Sequence, residues 1–168
     1  MTVDETNERF LALLEAHQKI LYKVAYVYCP HPDDRPDLIQ EMIVQLWRAF
    51  LRFDPRYRFS TWMYRIAMNV AISAARRETR RARPLVAFDV EVHDTIASAS
   101  DPAELVELRQ AIDGLDGLNK ALVLLSLEGH PHETIAEILG ISVSNVGTRL
   151  SRVRQRLRQV LDPTDPTG

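Results

Sequence analysis

The chain has 168 residues, a formal net charge of −2 and 46% hydrophobic residues, which is typical of a folded protein and excludes a wholly disordered one. Its longest apolar run, residues 121–125, is far shorter than the ~20 residues of a membrane-spanning helix. The single cysteine excludes a disulfide within the chain, and we expect a cytoplasmic protein. An acidic total also argues against nucleic-acid binding, unless the charges are segregated along the sequence.

Apolar residues at a spacing of three and four predict three helices in the first 82 residues. The first should end near Cys29, because the prolines that follow cannot continue a helix. The second can begin at Pro36 and should end at Asp54. The third is expected to have Ser60 as its N-cap and to run to about Arg81.

Residues 48–81 are strongly basic, with nine arginines and two acids. Aromatic residues lie between these arginines, a combination that suits single-stranded or distorted nucleic acid because a ring can stack on an unpaired base. The alternative is that the aromatic residues form the core, which we expect for Trp62, Phe53 and Phe59.

The helical pattern stops at residue 83 and returns near residue 104. Residues 83–104 contain one basic and five acidic residues, which predicts an acidic linker that is either functional or mobile. Residues 105–161 are again helical, and the Pro-rich tail 162–168 should be flexible. The predicted fold is therefore all-α, with two small helical domains, 1–82 and 105–161, joined by a linker that permits compact and extended arrangements.

The C-terminal domain has the spacing of a helix-turn-helix. Ala136 is small enough for two helices to approach, Gly140 suits a left-handed turn, and Val146 can pack the second helix on the first. A solvated basic helix is the alternative, but spacing and charge coincide here and favour DNA contact. The polar and basic residues of this second helix are Ser142, Ser144, Asn145, Arg149, Arg152, Arg154, Arg156 and Arg158.

Other kinds of site find little support. Cysteine and histidine lie in separate turns without the spacing of a zinc site, so no metal is predicted. No catalytic constellation can be placed on these helices, and neither an enzyme nor a cofactor is expected.

Two sets of motifs resemble bacterial sigma factors. The first is similar to sigma regions 2.2 to 2.4 and comprises Asp37-Leu-Ile-Gln-Glu41, Leu46-Trp47, Arg52-Phe-Asp-Pro-Arg56, Phe59-Ser-Thr-Trp62, Tyr64-Arg-Ile-Ala67 and Asn69. The second is similar to region 4 and includes Glu128-Gly129, Glu133, Ile135-Ala-Glu-Ile-Leu-Gly-Ile-Ser142 and Arg149-Leu150. The linker is too short for the middle domain of primary sigma factors, so the chain resembles the extracytoplasmic-function (ECF) type.

The resemblance implies a region 2-like domain over 1–82, a region 4-like domain over 105–161 and three contact surfaces. A docking face for the β′ clamp of RNA polymerase comprises Asp37, Gln40, Glu41, Val44 and Trp47. A −10 face, which captures and opens the −10 promoter element, comprises Arg56, Arg58, Phe59, Ser60, Thr61, Arg65, Asn69 and Arg76. A −35 face for duplex DNA comprises Ser144, Asn145, Thr148, Arg149 and Arg152.

The implied partners are core RNA polymerase, through its β′ clamp and β flap, and promoter DNA that is double-stranded at −35 and melted at −10. The resemblance also implies an anti-sigma factor or other inhibitor, and no insertion into a membrane. The acidic linker resembles the connector that passes toward the RNA exit channel, with a passive tether as the alternative. Gly147 departs from the family pattern, which often has Lys there.

Two other functions stay open on the sequence. One is a helix-turn-helix regulator that acts without docking on polymerase, and the other is a helical adaptor that binds only proteins. For a sigma factor, segregated charges predict weak, salt-sensitive DNA binding by the isolated chain.

Overall fold

The computed structural model describes residues 2–79 and 102–161, in which seven α-helices and one short 3₁₀ turn occur without any β-strand. The N-terminal unit consists of α1 (Val3–Tyr28), the 3₁₀ turn (Pro32–Asp34), α2 (Arg35–Phe50) and α3 (Phe59–Thr79). The C-terminal unit consists of α4 (Pro102–Asp113), α5 (Gly117–Leu127), α6 (His132–Leu139) and α7 (Val143–Leu161). The predicted all-α class is confirmed. None of these described helices has the length and apolar character needed to cross a bilayer.

The helix ends follow local sequence signals, with one exception. Thr2 and Glu5 form a capping box at the start of α1. At α3, the Trp62 N–H donates to the Arg58 carbonyl at 3.2 Å, so Arg58 precedes the first turn. The expectation that Ser60 is the N-cap is therefore wrong, because Ser60 already lies inside that turn.

The predicted linker and tail are only partly within the described residues. Helix α4 begins at Pro102, before the predicted end of the linker, and proline is well tolerated at a first helical position. Residues 83–101 and the tail 162–168 lie outside the described residues.

The core of the N-terminal unit is formed where α1, α2 and α3 pack on one another. Small residues allow close approach on α3, where Ala67 and Ala71 are fully buried. Met42 and Met63 fill the space between the helices and are also fully buried. At one end of this core, an aromatic cluster is formed by Phe10, Phe50, Phe53, Phe59 and Trp62.

The C-terminal unit contains the predicted helix-turn-helix, formed by α6 and α7. Gly140 has φ 69° and ψ 32°, a left-handed conformation that strains any residue with a Cβ atom. Its N–H donates to the Ala136 carbonyl at 2.9 Å, which closes the end of α6. Val146 on α7 is fully buried beneath α6. The turn geometry inferred from the sequence spacing is thus present.

Candidate nucleic-acid interface

The docking face lies along one exposed side of α2. Val44 is 40% exposed and Trp47 is 41% exposed, which is unusual for large apolar side chains. The Trp47 ring also packs against the buried Phe10 ring, with ring centroids 5.1 Å apart, and this contact holds the Trp47 ring in position. All five predicted residues, Asp37, Gln40, Glu41, Val44 and Trp47, are exposed or half-exposed there, while Leu38, Met42 and Leu46 face the core. An apolar strip bordered by carboxylates suits a protein partner with a basic rim.

An ion pair connects the docking face to the neighbouring helix. One Nη atom of Arg77 on α3 donates to both carboxylate oxygens of Glu41, at 3.1 and 3.2 Å. Both side chains are substantially exposed, so the pair contributes little to folding stability. It nevertheless orients Glu41, and Arg77 is a residue that the sequence analysis did not select.

The loop between α2 and α3 is organised by Asp54. Its carboxylate accepts hydrogen bonds from the backbone N–H of Arg56 and from the Arg56 guanidinium, the shortest at 2.7 Å. These hydrogen bonds lower the pKa of Asp54. The guanidinium of Arg56 remains 85% exposed, so it is both positioned and accessible. The sequence alone selected Arg56 but did not indicate this partner.

The exposed aromatic residue of this loop is not one of those assigned to the −10 face. Phe59 is only 7% exposed and packs against His17, Phe53 and Trp62, with ring centroids 5.2 to 5.5 Å apart. This burial agrees with the expected place of Phe59 in the core, and its contact with the −10 strand stays a prediction that the low exposure of the ring does not support. Tyr57, in contrast, is 59% exposed in the same loop. Its position between two arginines, Arg56 and Arg58, was the available sequence signal.

The other residues of the −10 face follow the outer side of α3. Arg65, Asn69 and Arg76 are exposed at helical spacing, while Ser60 and Thr61 are half-exposed in the first turn. Arg58 is exposed just before the helix begins. The structure therefore places Arg58 and the first-turn residues next to the loop, while Arg65, Asn69 and Arg76 extend along α3 to its last turn. The −10 face and the docking face lie on adjacent helices of one unit.

The −35 face occupies the N-terminal half of α7. The Ser142 hydroxyl accepts from the Asn145 N–H at 3.0 Å and so caps this helix. Thr148 donates from its hydroxyl to the Ser144 carbonyl at 3.1 Å, and Arg149 Nε donates to the Asn145 side-chain oxygen at 3.1 Å. Arg152 is exposed one turn further along. All five predicted residues lie within three turns on one side of the helix.

The arginine run that follows does not form a single face. Arg154 turns back to donate to the Ser126 hydroxyl on α5 at 3.1 Å. Arg156 lines a groove between α4 and α7 together with Glu107 and Leu157. Only part of this positive charge is therefore directed toward the side that carries Asn145.

Both units match family models. The family model described as "Sigma-70 region 2" matches residues 13–81. The model described as "Sigma-70, region 4" matches residues 105–157. The chain is 30% identical to the ECF RNA polymerase sigma-E factor of Escherichia coli strain K12, over 94% of this chain and 88% of that relative. It is 28% identical to the ECF RNA polymerase sigma factor SigE of Mycolicibacterium smegmatis, over 89% of this chain and 60% of that relative's length.

A solved structure supports the fold. The sigma factor RpoE of Bartonella quintana, in complex with the anti-sigma factor NepR, has a TM-score of 0.68 at 23% identity. The match covers 97% of this chain and 100% of the other. Together, the two region matches and the 30% identical relative, of which this chain covers 88%, establish the family. The chain belongs to the extracytoplasmic-function family of RNA polymerase sigma factors and is a transcription initiation factor.

Proposed function

We propose that this sigma factor joins core RNA polymerase through the docking face of α2 and directs it to promoters through the −10 and −35 faces. The observation that carries this proposal is the exposed strip of Val44 and Trp47 beside Asp37 and Glu41. A regulator that acts without polymerase has no need for such a strip. An adaptor that binds only proteins has no need for the capped, basic helix α7.

At the −35 element, α7 would lie in the major groove with its N-terminal half against the bases. Nε of Arg149 is held by Asn145, and within the described residues its terminal nitrogens have no hydrogen-bond partner, so they can donate to acceptors on a base edge. Arg152 is suited to a phosphate of the DNA backbone. Ser142 holds the start of the helix in position by capping it.

At the −10 element, the loop and α3 would bind melted DNA. The exposed Tyr57 ring can stack on an unpaired base, and the aromatic cluster behind the loop keeps that loop in place. Arg58, Arg65 and Arg76 are placed to neutralise phosphates along the same strand. Strand opening is then favoured because only the melted form makes the stacking contact.

Control by an inhibitor is also part of the proposal. The Bartonella quintana relative is held by an anti-sigma factor, and we expect an inhibitor of that kind for this chain. Such control would take place in the cytoplasm, where polymerase and promoters are found. The linker would act as the connector between the two promoter-binding units.

The decisive experiment is in vitro transcription with purified core polymerase on a library of genomic promoters. The expected result is a set of starts that depends on this chain and shares one −35 and one −10 motif. Core polymerase without the chain supplies the background. Absence of any chain-dependent start, with core activity verified by a second sigma factor, would overturn the proposal.

A further inference from the structure

We propose that His132 is a further DNA-binding residue of this chain, whose imidazole donates a hydrogen bond to a phosphate beside the −35 element. The ring makes this contact at the edge of α7 where Gly147 has no side chain of its own to offer. The proposal deepens the proposed function and rests on it for the position of α7 in the major groove.

Gly147 lies at the border between the DNA-facing side and the buried side of α7. Successive residues of an α-helix are about 100° apart around its axis, so Gly147 stands about 60° from Ser144 in one direction and about 60° from Leu150 in the other. Ser144 belongs to the −35 face, whereas Leu150 is only 2% exposed. A side chain at position 147 would therefore lie at the edge of the −35 face.

The His132 ring lies in the space beside this glycine. His132 begins α6, and a Cβ atom built on Gly147 would be 3.8 Å from its Nδ1 atom and 3.9 Å from its Cε1 atom. The other ring nitrogen, Nε2, lies farther from that position. A single Cβ atom fits here in ordinary contact, but a longer side chain directed to the same edge would compete with the ring for this space.

The imidazole is available to a ligand. His132 is exposed, and no hydrogen bond or ion pair of its side chain occurs among the described residues. An imidazole always carries at least one N–H group that can donate to a phosphate oxygen. The exposed acids Glu133 and Glu137 stand about 100° or more from His132 around the α6 axis, so their carboxylates are directed away from the edge at Gly147.

The position of the ring selects a phosphate as its ligand rather than a base. When a helix lies in the major groove, the middle of its DNA-facing side meets the base edges, and its borders meet the phosphates on either side. His132 approaches that border from the neighbouring helix α6. A phosphate contact carries no sequence information, so His132 should add affinity for duplex DNA without changing the −35 motif.

Four variants of the full chain separate this contact from packing and from charge. His132→Ala removes the ring, whereas His132→Gln keeps an N–H donor at a similar reach. Gly147→Lys, made in the His132→Ala chain, places at the same edge the residue that the family pattern often has there. Gln159→Lys, made in the same chain, adds an equal charge at an exposed position about three turns further along α7.

Affinity is measured with the holoenzyme and a promoter duplex recovered in the transcription experiment. His132→Ala should bind about three- to tenfold more weakly than the parent, as expected for the loss of one hydrogen bond, and should select the same −35 motif. His132→Gln should bind as the parent does. Gly147→Lys should restore the affinity of the His132→Ala chain, and Gln159→Lys should not. Parent-like affinity of His132→Ala would overturn the proposal.

Ethylation interference distinguishes a phosphate contact from a role in packing α6 on α7. Ethylation of the phosphate that His132 contacts should weaken binding of the parent and of His132→Gln. The same ethylation should have no effect on His132→Ala, while the other interfering phosphates stay unchanged. If His132→Ala binds more weakly but every phosphate still interferes, the ring acts only through packing, and the proposal is wrong.

A duplex of random sequence keeps this test independent of the proposed function. Because a phosphate contact does not depend on sequence, the isolated His132→Ala chain should bind a random duplex of about 30 base pairs more weakly than the parent at low salt. If core polymerase yields no chain-dependent start, the proposed function fails, and this measurement still decides whether His132 contacts DNA. If transcription depends on the chain but His132→Ala binds both duplexes as the parent does, the function stands and the contact at His132 does not.

Discussion

The two helices that carry the proposed DNA contacts, α3 and α7, are supported in different ways. The inner side of α3 is almost fully buried, with Met63, Ala67, Met68 and Ala71 all at most 1% exposed. In contrast, α7 buries Val146, Leu150 and Val153 and is otherwise largely exposed. The proposed capture of an unpaired base would therefore take place on a helix and loop that the core holds in position. Duplex DNA already has a defined shape, so one anchored helix end is sufficient there.

Their charges are arranged differently as well. Around α3, Arg56 is held by Asp54 and Arg77 is held by Glu41, so acids position these basic groups. On α7, Arg149 is held by the neutral side chain of Asn145, so this contact does not offset its positive charge. Two basic groups of the N-terminal unit are thus positioned by contacts that offset part of their attraction to DNA, whereas the contact at Arg149 positions the guanidinium without that loss.

Two aromatic residues at the junction of the loop and α3 give the largest expected difference. Phe59→Ala should lower the free energy of unfolding by about 3–5 kcal/mol, because it removes a buried ring from the aromatic cluster. Tyr57→Ala should leave the unfolding free energy almost unchanged, since this ring is exposed, but should slow promoter opening. Urea unfolding and permanganate footprinting of the −10 region measure the two effects. Equal loss of stability in both variants would contradict the assignment of these rings.

The docking face gives the next largest effect. Asp37→Ala combined with Glu41→Ala should weaken binding to core polymerase by about 3 kcal/mol, about a hundredfold, if both carboxylates are central contacts. Titration of labelled chain with core polymerase measures the change. The matched control is Glu8→Ala with Glu15→Ala, two exposed acids on α1, which should bind as the parent does. If the Asp37 and Glu41 variant binds core polymerase with the affinity of the parent chain, this face is not the docking surface.

A smaller effect is expected at the −35 face. Arg149→Ala should cost about 1–3 kcal/mol in promoter affinity of the holoenzyme and relax the preference at one base pair. Arg154→Ala is the control, because that side chain is bonded to Ser126 and should affect DNA binding little. Selection of bound sequences from a randomised −35 element would show the change in preference. An unchanged motif with Arg149→Ala would mean that this residue contacts only the backbone.

Local and non-local features differ in how far the sequence predicts them. The helix-turn-helix could be inferred because Gly140 and Ala136 act within one turn of chain. The core position of Phe59 could also be inferred, but its contact with His17 could not, because that residue lies 42 positions earlier and the contact depends on how α1 packs. Burial of Arg109 and Lys120 could not be inferred either, since both have the spacing of ordinary helical surface residues and are covered only because α1 packs against α4 and α5.

Two glycines of the helix-turn-helix provide the smallest and most direct comparison. Gly140→Ala should lower the free energy of unfolding by about 1 kcal/mol, because φ there is 69° and the space around it is otherwise open. Gly147→Ala should raise it by up to about 1 kcal/mol, because this residue lies inside α7 and an added Cβ would be 3.8 Å from His132, an ordinary contact.

Thermal or urea unfolding of both variants and of the parent chain measures the two changes in the free energy of unfolding. Because these changes are expected to have opposite signs, each variant serves as the control for the other. If Gly147→Ala is more stable and keeps full −35 recognition, the glycine has no role that depends on helix flexibility. If it gains stability but loses affinity for duplex promoter DNA, α7 must deform to fit the major groove. That outcome would change the comparison between the two DNA-contacting helices, since α7 would then have to change its conformation on binding, while α3 is held by the core.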